Sequence, residues 1–164
     1  MNIYIDNRSN EELPLSRVED LALFVLTGEG MPDTTELSVS FVTIDEITAL
    51  NALYRDREEP TDVLSFEMDS PPENEVMDDG FCDTWASGEE ILLGDIVINP
   101  DIARRNATLE EVTFEEELWI LVIHGILHLV GFDHEDSDEQ ELMESKEDEY
   151  FFSWIELIDN LSHH

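Results

Sequence analysis

The chain has 164 residues, 41% of them apolar, enough for one domain with a real core. No apolar run reaches the length of a membrane span, the start lacks the basic and apolar stretches of a secretory signal, and the lone Cys82 excludes an internal disulfide, so a reducing cytoplasm is the expected setting. Seven basic residues face 42 acidic ones, a formal net charge of −35, which disfavours broad electrostatic contact with nucleic acid and favours basic protein partners.

Ile3-Tyr4-Ile5 reads as a first strand. Ser16-x-x-Glu19 has the form of a capping box, followed at helical spacing by Val18, Leu21, Ala22 and Val25 and stopped by Gly28 and Gly30. Leu37, Val39 and Phe41 alternate with serines as a second strand. Thr43-x-x-Glu46 opens a helix with Ile44, Ile47, Leu50 and Leu53 as its buried face. After a polar break at 56–60, residues 63–66 form a third strand. Residues 69–90 read as an exposed acidic insertion, punctuated by Pro71-Pro72 and Asp78-Asp79-Gly80. Residues 91–98 are the fourth and most apolar strand, and Asn99-Pro100 starts a short helix to about 106. Thr108-x-x-Glu111 then opens a long helix, and Ser137-x-x-Gln140 a last one with the stripe Leu142, Met143, Tyr150, Trp154, Leu157 and Leu161. The expected fold is α+β within one domain spanning 1–164. A small mixed four-stranded sheet, with strands two to four in its interior, lies under about five helices.

Residues 124–134 read H-G-I-L-H-L-V-G-F-D-H and hold three of the five histidines. His124 and His128 are four apart and share one helix face. Gly131 suits a left-handed helix end, after which His134 can return toward the first two. Three imidazoles with a fourth position open is the layout of a catalytic zinc site, so His124, His128 and His134 are the expected ligands of one Zn2+ ion. The spacing H-x-x-x-H-x-x-G-x-x-H is also the skeleton of metalloproteases, in which the residue after the first histidine is a glutamate base. Here that residue is Gly125, so the ligands are present and the protease base is absent. A packed core pair of histidines is the alternative reading of His124 and His128.

Three more clusters stand near these in the pattern. Arg55 ends the second helix as an anion clamp or a surface ion-pair partner. Asp62 is a turn cap or part of the site. Asp95, inside an apolar strand, needs a partner and is a candidate to orient a histidine.

L-N-A-L-Y-R (50–55), P-T-D-V-L-S-F (60–66), L-G-D-I-V-I (93–98) and the histidine window together resemble the YbeY family of bacterial rRNA-maturation endoribonucleases. The resemblance implies a zincin-like fold and a zinc on His124, His128 and His134. It further implies a single-strand-specific endoribonuclease acting at the 3′ end of 16S rRNA and in ribosome quality control, with Arg55 and His124 as the residues most tied to activity. Its expected partners are rRNA of the small ribosomal subunit and basic ribosomal proteins, with no membrane. The charge and the acidic insertion depart from the family pattern, and only a small patch around Arg55, Arg57, Arg104 and Arg105 remains for RNA. The rival functions are a zincin-type metallopeptidase and a non-catalytic ribosome-assembly factor with structural zinc.

Overall fold

The structure is a computed structural model that describes residues 1–55, 61–67, 91–131 and 137–162. The acidic segment expected at 69–90 lies outside the described residues. Among the described residues four strands form one sheet: β1 (Asn2–Asn7), β2 (Thr35–Phe41), β3 (Val63–Glu67) and β4 (Ile91–Ile98), in the order β1-β2-β4-β3. β1, β2 and β4 are parallel, and β3 runs antiparallel to β4. The expectation of an interior third strand is therefore corrected, because β3 is an edge. The physical reason lies in the strands themselves: β4 buries Leu93, Ile96, Val97 and Ile98, from both of its faces, whereas among the described side chains of β3 only Leu64 is buried.

Five helices are described: α1 (Leu15–Gly28), α2 (Ile44–Arg55), α3 (Pro100–Glu110), α4 (Phe114–Leu129) and α5 (Ser137–Ser162). The main core lies between one sheet face and helices α1 and α4, with Leu21, Val25, Leu37, Val39, Ile96 and Ile126 fully buried there. A smaller core of Val42, Ile47, Leu64 and Val97 lies on the other face, under α2. The mixed sheet with five helices is the architecture expected from the pattern. Among the described residues, no helix is long and apolar enough to cross a membrane.

The helix ends show which local signals decide. Asn99 caps α3 as expected: its Oδ1 accepts from the Ile102 N–H at 2.9 Å, and Pro100 takes the first turn. Thr43 likewise accepts from the Glu46 N–H at 3.2 Å. Ser16 does not cap, because α1 begins one residue earlier, after Pro14. The box that opens α4 is Thr113-x-x-Glu116, not Thr108-x-x-Glu111. Thr113 Oγ1 accepts from the Glu116 N–H at 3.1 Å, and the Thr113 N–H donates to Glu116 Oε1 at 2.9 Å. Thr108 instead sits inside α3 and donates to the Arg104 carbonyl, so α3 runs on until Glu111 takes a left-handed conformation at φ 59°. Two successive T-x-x-E patterns compete here, and the one next to the apolar run wins.

Two predicted stripes shift. Leu53 is 72% exposed, so α2 buries Ile47 and leans on Leu50 instead. On α5, Leu142 and Leu157 are exposed, while Met143 and Trp154 are buried. The buried side of α5 is Met143, Glu147, Tyr150, Trp154, at spacings of four, three and four.

Candidate metal centre

Helix α4 positions the histidines. Glu117, Leu121, His124 and His128 follow one another at spacings of four, three and four and so share one side of it. The opposite side packs on β4. A Cβ on Gly125 would stand 3.0 Å from both Cδ1 and Cγ2 of Ile96. The missing side chain therefore serves close packing of helix on strand. A glutamate at this position would be driven into the sheet. α4 ends where Gly131 adopts φ +120°, with its N–H on the His128 carbonyl at 3.2 Å.

His124 is held from outside α4. Its Nδ1 lies 2.6 Å from Oε1 of Glu147 on α5. Both side chains are partly buried, at 33% and 21% exposure. The hydrogen bond to Glu147 raises the His124 pKa above its ordinary value; burial opposes it, and the charges of Glu147 and Asp62 add to the rise. With Nδ1 as the proton carrier, Nε2 is left with its lone pair, which is how carboxylates orient metal-ligating histidines. His128, one turn along, is half-buried. His134 falls within 132–136, outside the described residues, as does the side chain of Arg55, whose backbone closes α2. Among the described residues no group of three or more metal-ligating side chains converges, so the structure brings together His124 and His128 on one helix side and leaves the third expected ligand outside the description. The donor set fits a zinc ion: neutral imidazole nitrogens on one side of a helix, with a carboxylate behind the first.

Asp62 binds into the same region. Its Oδ2 accepts from Asn106 Nδ2 of α3 at 3.1 Å, and its carbonyl accepts from the Asn99 N–H at 2.9 Å. Its charge acts on both His124 and Glu117. Asp95 does not orient a histidine through this side. It pairs with Phe66 and lies opposite in the pleat to Ile96, which faces α4; it lines a shallow hollow of about 160 Å³ with Tyr4, Glu36 and Ser38.

Two residues of this region carry chemistry that the sequence pattern did not single out. Glu117 is only 3% exposed, and its Oε2 has no hydrogen-bond partner among the described residues. Burial pushes its pKa up to about 8, helped by a hydrogen bond with Glu110 and by the charges of Glu110 and Asp62. The signal was its place seven residues before His124, inside the acidic run Glu115-Glu116-Glu117. Glu147 is the other. An acid on the buried stripe between Met143 and Tyr150 is the clue to it.

Comparison with known proteins agrees with this architecture. The family model described as "Endoribonuclease YbeY" matches residues 4–154. Endoribonuclease YbeY of Exiguobacterium sibiricum is 36% identical over 151 residues, covering 91% of this chain and 92% of the relative. The Lysinibacillus sphaericus protein of the same name is 39% identical over 132 residues, 80% of each chain, and that of Bacillus subtilis 36% over 151 residues, 91% of each. The solution structure of TM1509 from Thermotoga maritima superposes with a TM-score of 0.61 at 32% identity, covering 99% of this chain and 95% of that one. With matches that run through both the sheet and the histidine helix, the chain belongs to the YbeY endoribonuclease family.

Proposed function

We propose that this protein is a zinc-dependent endoribonuclease that cuts single-stranded RNA, acting in the cytoplasm on the 3′ end of 16S rRNA and in ribosome quality control. The observation that carries the reading is the Glu147–His124 contact at 2.6 Å, because a carboxylate on Nδ1 fixes the ring and tautomer in the way that suits a metal-ligating histidine. His124, His128 and His134 are the residues that would hold the ion. A zinc ion bound there supplies a positive centre for activating water and for drawing charge from phosphate oxygens. Glu147 fixes the His124 ring and its proton, and Arg55 is assigned to the phosphate. Basic ribosomal proteins are the proposed docking partners of the acidic surface.

The test is zinc content of the purified protein together with cleavage of single-stranded and duplex RNA, with and without chelator. His124→Ala should keep the fold and lose both zinc and cleavage. A variant that unfolds on losing zinc would favour the structural-zinc reading. Simple phosphate ends on the products indicate attack by water, and cyclic phosphates attack by the RNA 2′-hydroxyl. The peptidase alternative is disfavoured by Gly125, which stands where the protease pattern carries its glutamate base and is packed closely against Ile96.

A further inference from the structure

We propose that Tyr54 is a stacking platform for an unpaired base of the RNA, an inference that rests on the endoribonuclease reading. The argument starts from charge. RNA affinity ordinarily comes from basic side chains that displace counterions. In this chain Arg8 is held by Asp6 at 3.1 Å and Glu46 at 2.7 Å, and Lys146 by Glu29 at 3.0 Å. Arg104, part of the small basic patch, is held by Glu11 at 2.8 Å and lies 3.9 Å over the Phe114 ring. With a net charge of −35 around them, these cations are already neutralised by neighbours. Stacking on an aromatic ring is the other general source of affinity for single strands, and the contact itself needs no basic side chain.

Tyr54 is the ring placed for this. It stands on the last turn of α2 and is 61% exposed. Its ring is fixed against Phe66 of β3, with centroids 5.0 Å apart and planes tilted by 59°. Phe66 belongs to the edge strand, and its ring packs with the small core under α2. On the neighbouring strand, a Cβ on Gly94 would meet the Phe66 carbonyl and would stand 3.0 Å from Cδ2 of Leu129, the residue after His128, which packs in the main core on the α4 face of the sheet. The outer end of β3 is thus flanked by the histidine end of α4 on one side and by Tyr54 on the other. A single strand crossing this edge with a phosphate at the histidines has a neighbouring base over Tyr54. A Tyr ring held by Phe66 loses little freedom on binding, which favours stacking.

The test uses the whole purified protein, a short single-stranded 2′-O-methyl oligoribonucleotide for binding and the matching RNA for cleavage. Tyr54→Leu keeps apolar packing on Phe66 but removes the flat ring. It should bind the oligonucleotide about tenfold more weakly, or worse, and raise KM while leaving kcat within about twofold. Tyr54→Trp should bind within about threefold of the wild type, with indole quenching on titration beyond that of the wild-type protein. If the wild type binds and cleaves while Tyr54→Leu matches it within about twofold, or Tyr54→Trp shows no added quenching, the stacking role is overturned and the nuclease reading stands. If the wild type neither binds nor cleaves RNA, both fall together.

Discussion

The side of α4 that faces β4 and the side that faces α3 and α5 obey different rules. Toward the strand, residues such as Leu118, Val122 and Ile126 are fully buried, and Gly125 lets the helix settle so close to Ile96 that a methyl group would have to push its side chain aside. Toward the other helices, the same helix buries Glu117 with one oxygen unpartnered among the described residues, then presents His124 tied to Glu147. The first side gains stability from every contact. The second carries desolvated polar groups whose cost must be offset elsewhere, and such groups persist where a site needs them.

The largest expected effect comes from forcing the second kind of residue onto the first side. Gly125→Glu, which restores the protease base, should cost about 4 kcal/mol or more, because it drives a charge into the apolar layer. Gly125→Ala should cost about 1 kcal/mol: overpacking against Ile96 of about 1–3 kcal/mol, less about 1 kcal/mol of regained helix propensity. Urea unfolding measures both. A Gly125→Glu protein as stable as the wild type would mean that the two sides do not differ as described.

Glu117 gives the next effect, and it depends on pH. Its folded-state pKa of about 8 lies above the ordinary 4.5, so between these values the folded protein keeps a proton that the unfolded chain releases. The stability from this proton is complete below pH 4.5, declines as pH rises, and is gone above pH 8. Glu117→Gln removes the titration while its amide can still donate toward Glu110. It should therefore be within about 1 kcal/mol of wild type at pH 5 and more stable by a few kcal/mol at pH 9. Parallel unfolding curves for the two proteins across this range would show that Glu117 ionises normally in the fold.

This contrast also explains what could be read in advance. Apolar spacing located all four strands and the main helices, because burial of Leu21, Val39 or Ile96 repeats with the period of its element. The pair His124 and His128 was legible for the same reason: both lie on one helix. Glu147 was not, because its partner is 23 residues away and only the packing of α5 on α4 brings them together. The edge position of β3 was equally hidden, since strand order depends on long-range pairing. Leu53 and Leu157 were misplaced because an apolar residue at the right spacing can still fall at the margin of a buried stripe.

The tie across that packing is the third prediction. Glu147→Ala should weaken zinc binding by about 10–100-fold, as loss of a carboxylate behind a ligand histidine does. Competition with a zinc chelator measures this without reference to activity. Glu147→Gln keeps an oxygen that can accept from Nδ1, and so should recover most of the affinity. Equal losses in both variants would assign Glu147 a charge role in place of an orienting one.

The smallest effect belongs to the seam that holds α5 in place beside α1. Glu29, just past the end of α1, has a side chain only 8% exposed; Lys146 donates to its Oε2 at 3.0 Å and the Tyr150 hydroxyl to the same oxygen at 2.5 Å. Tyr150 also covers Gly28, where a Cβ would stand 2.6 Å from the hydroxyl. Burial and the Glu29 hydrogen bond raise the Tyr150 pKa, so the phenol stays a donor through the neutral range. Lys146 and Tyr150 flank Glu147 in sequence, one on each side, so this seam fixes the turn of α5 that reaches His124. Tyr150→Phe removes one donor but keeps the ring and the Lys146 contact. It should lower stability by about 1 kcal/mol and leave zinc affinity within about twofold. A loss of affinity approaching that of Glu147→Ala would mean that the His124 contact depends on this single hydroxyl. The retained Lys146–Glu29 bond and the buried Met143 and Trp154 on either side argue that it does not.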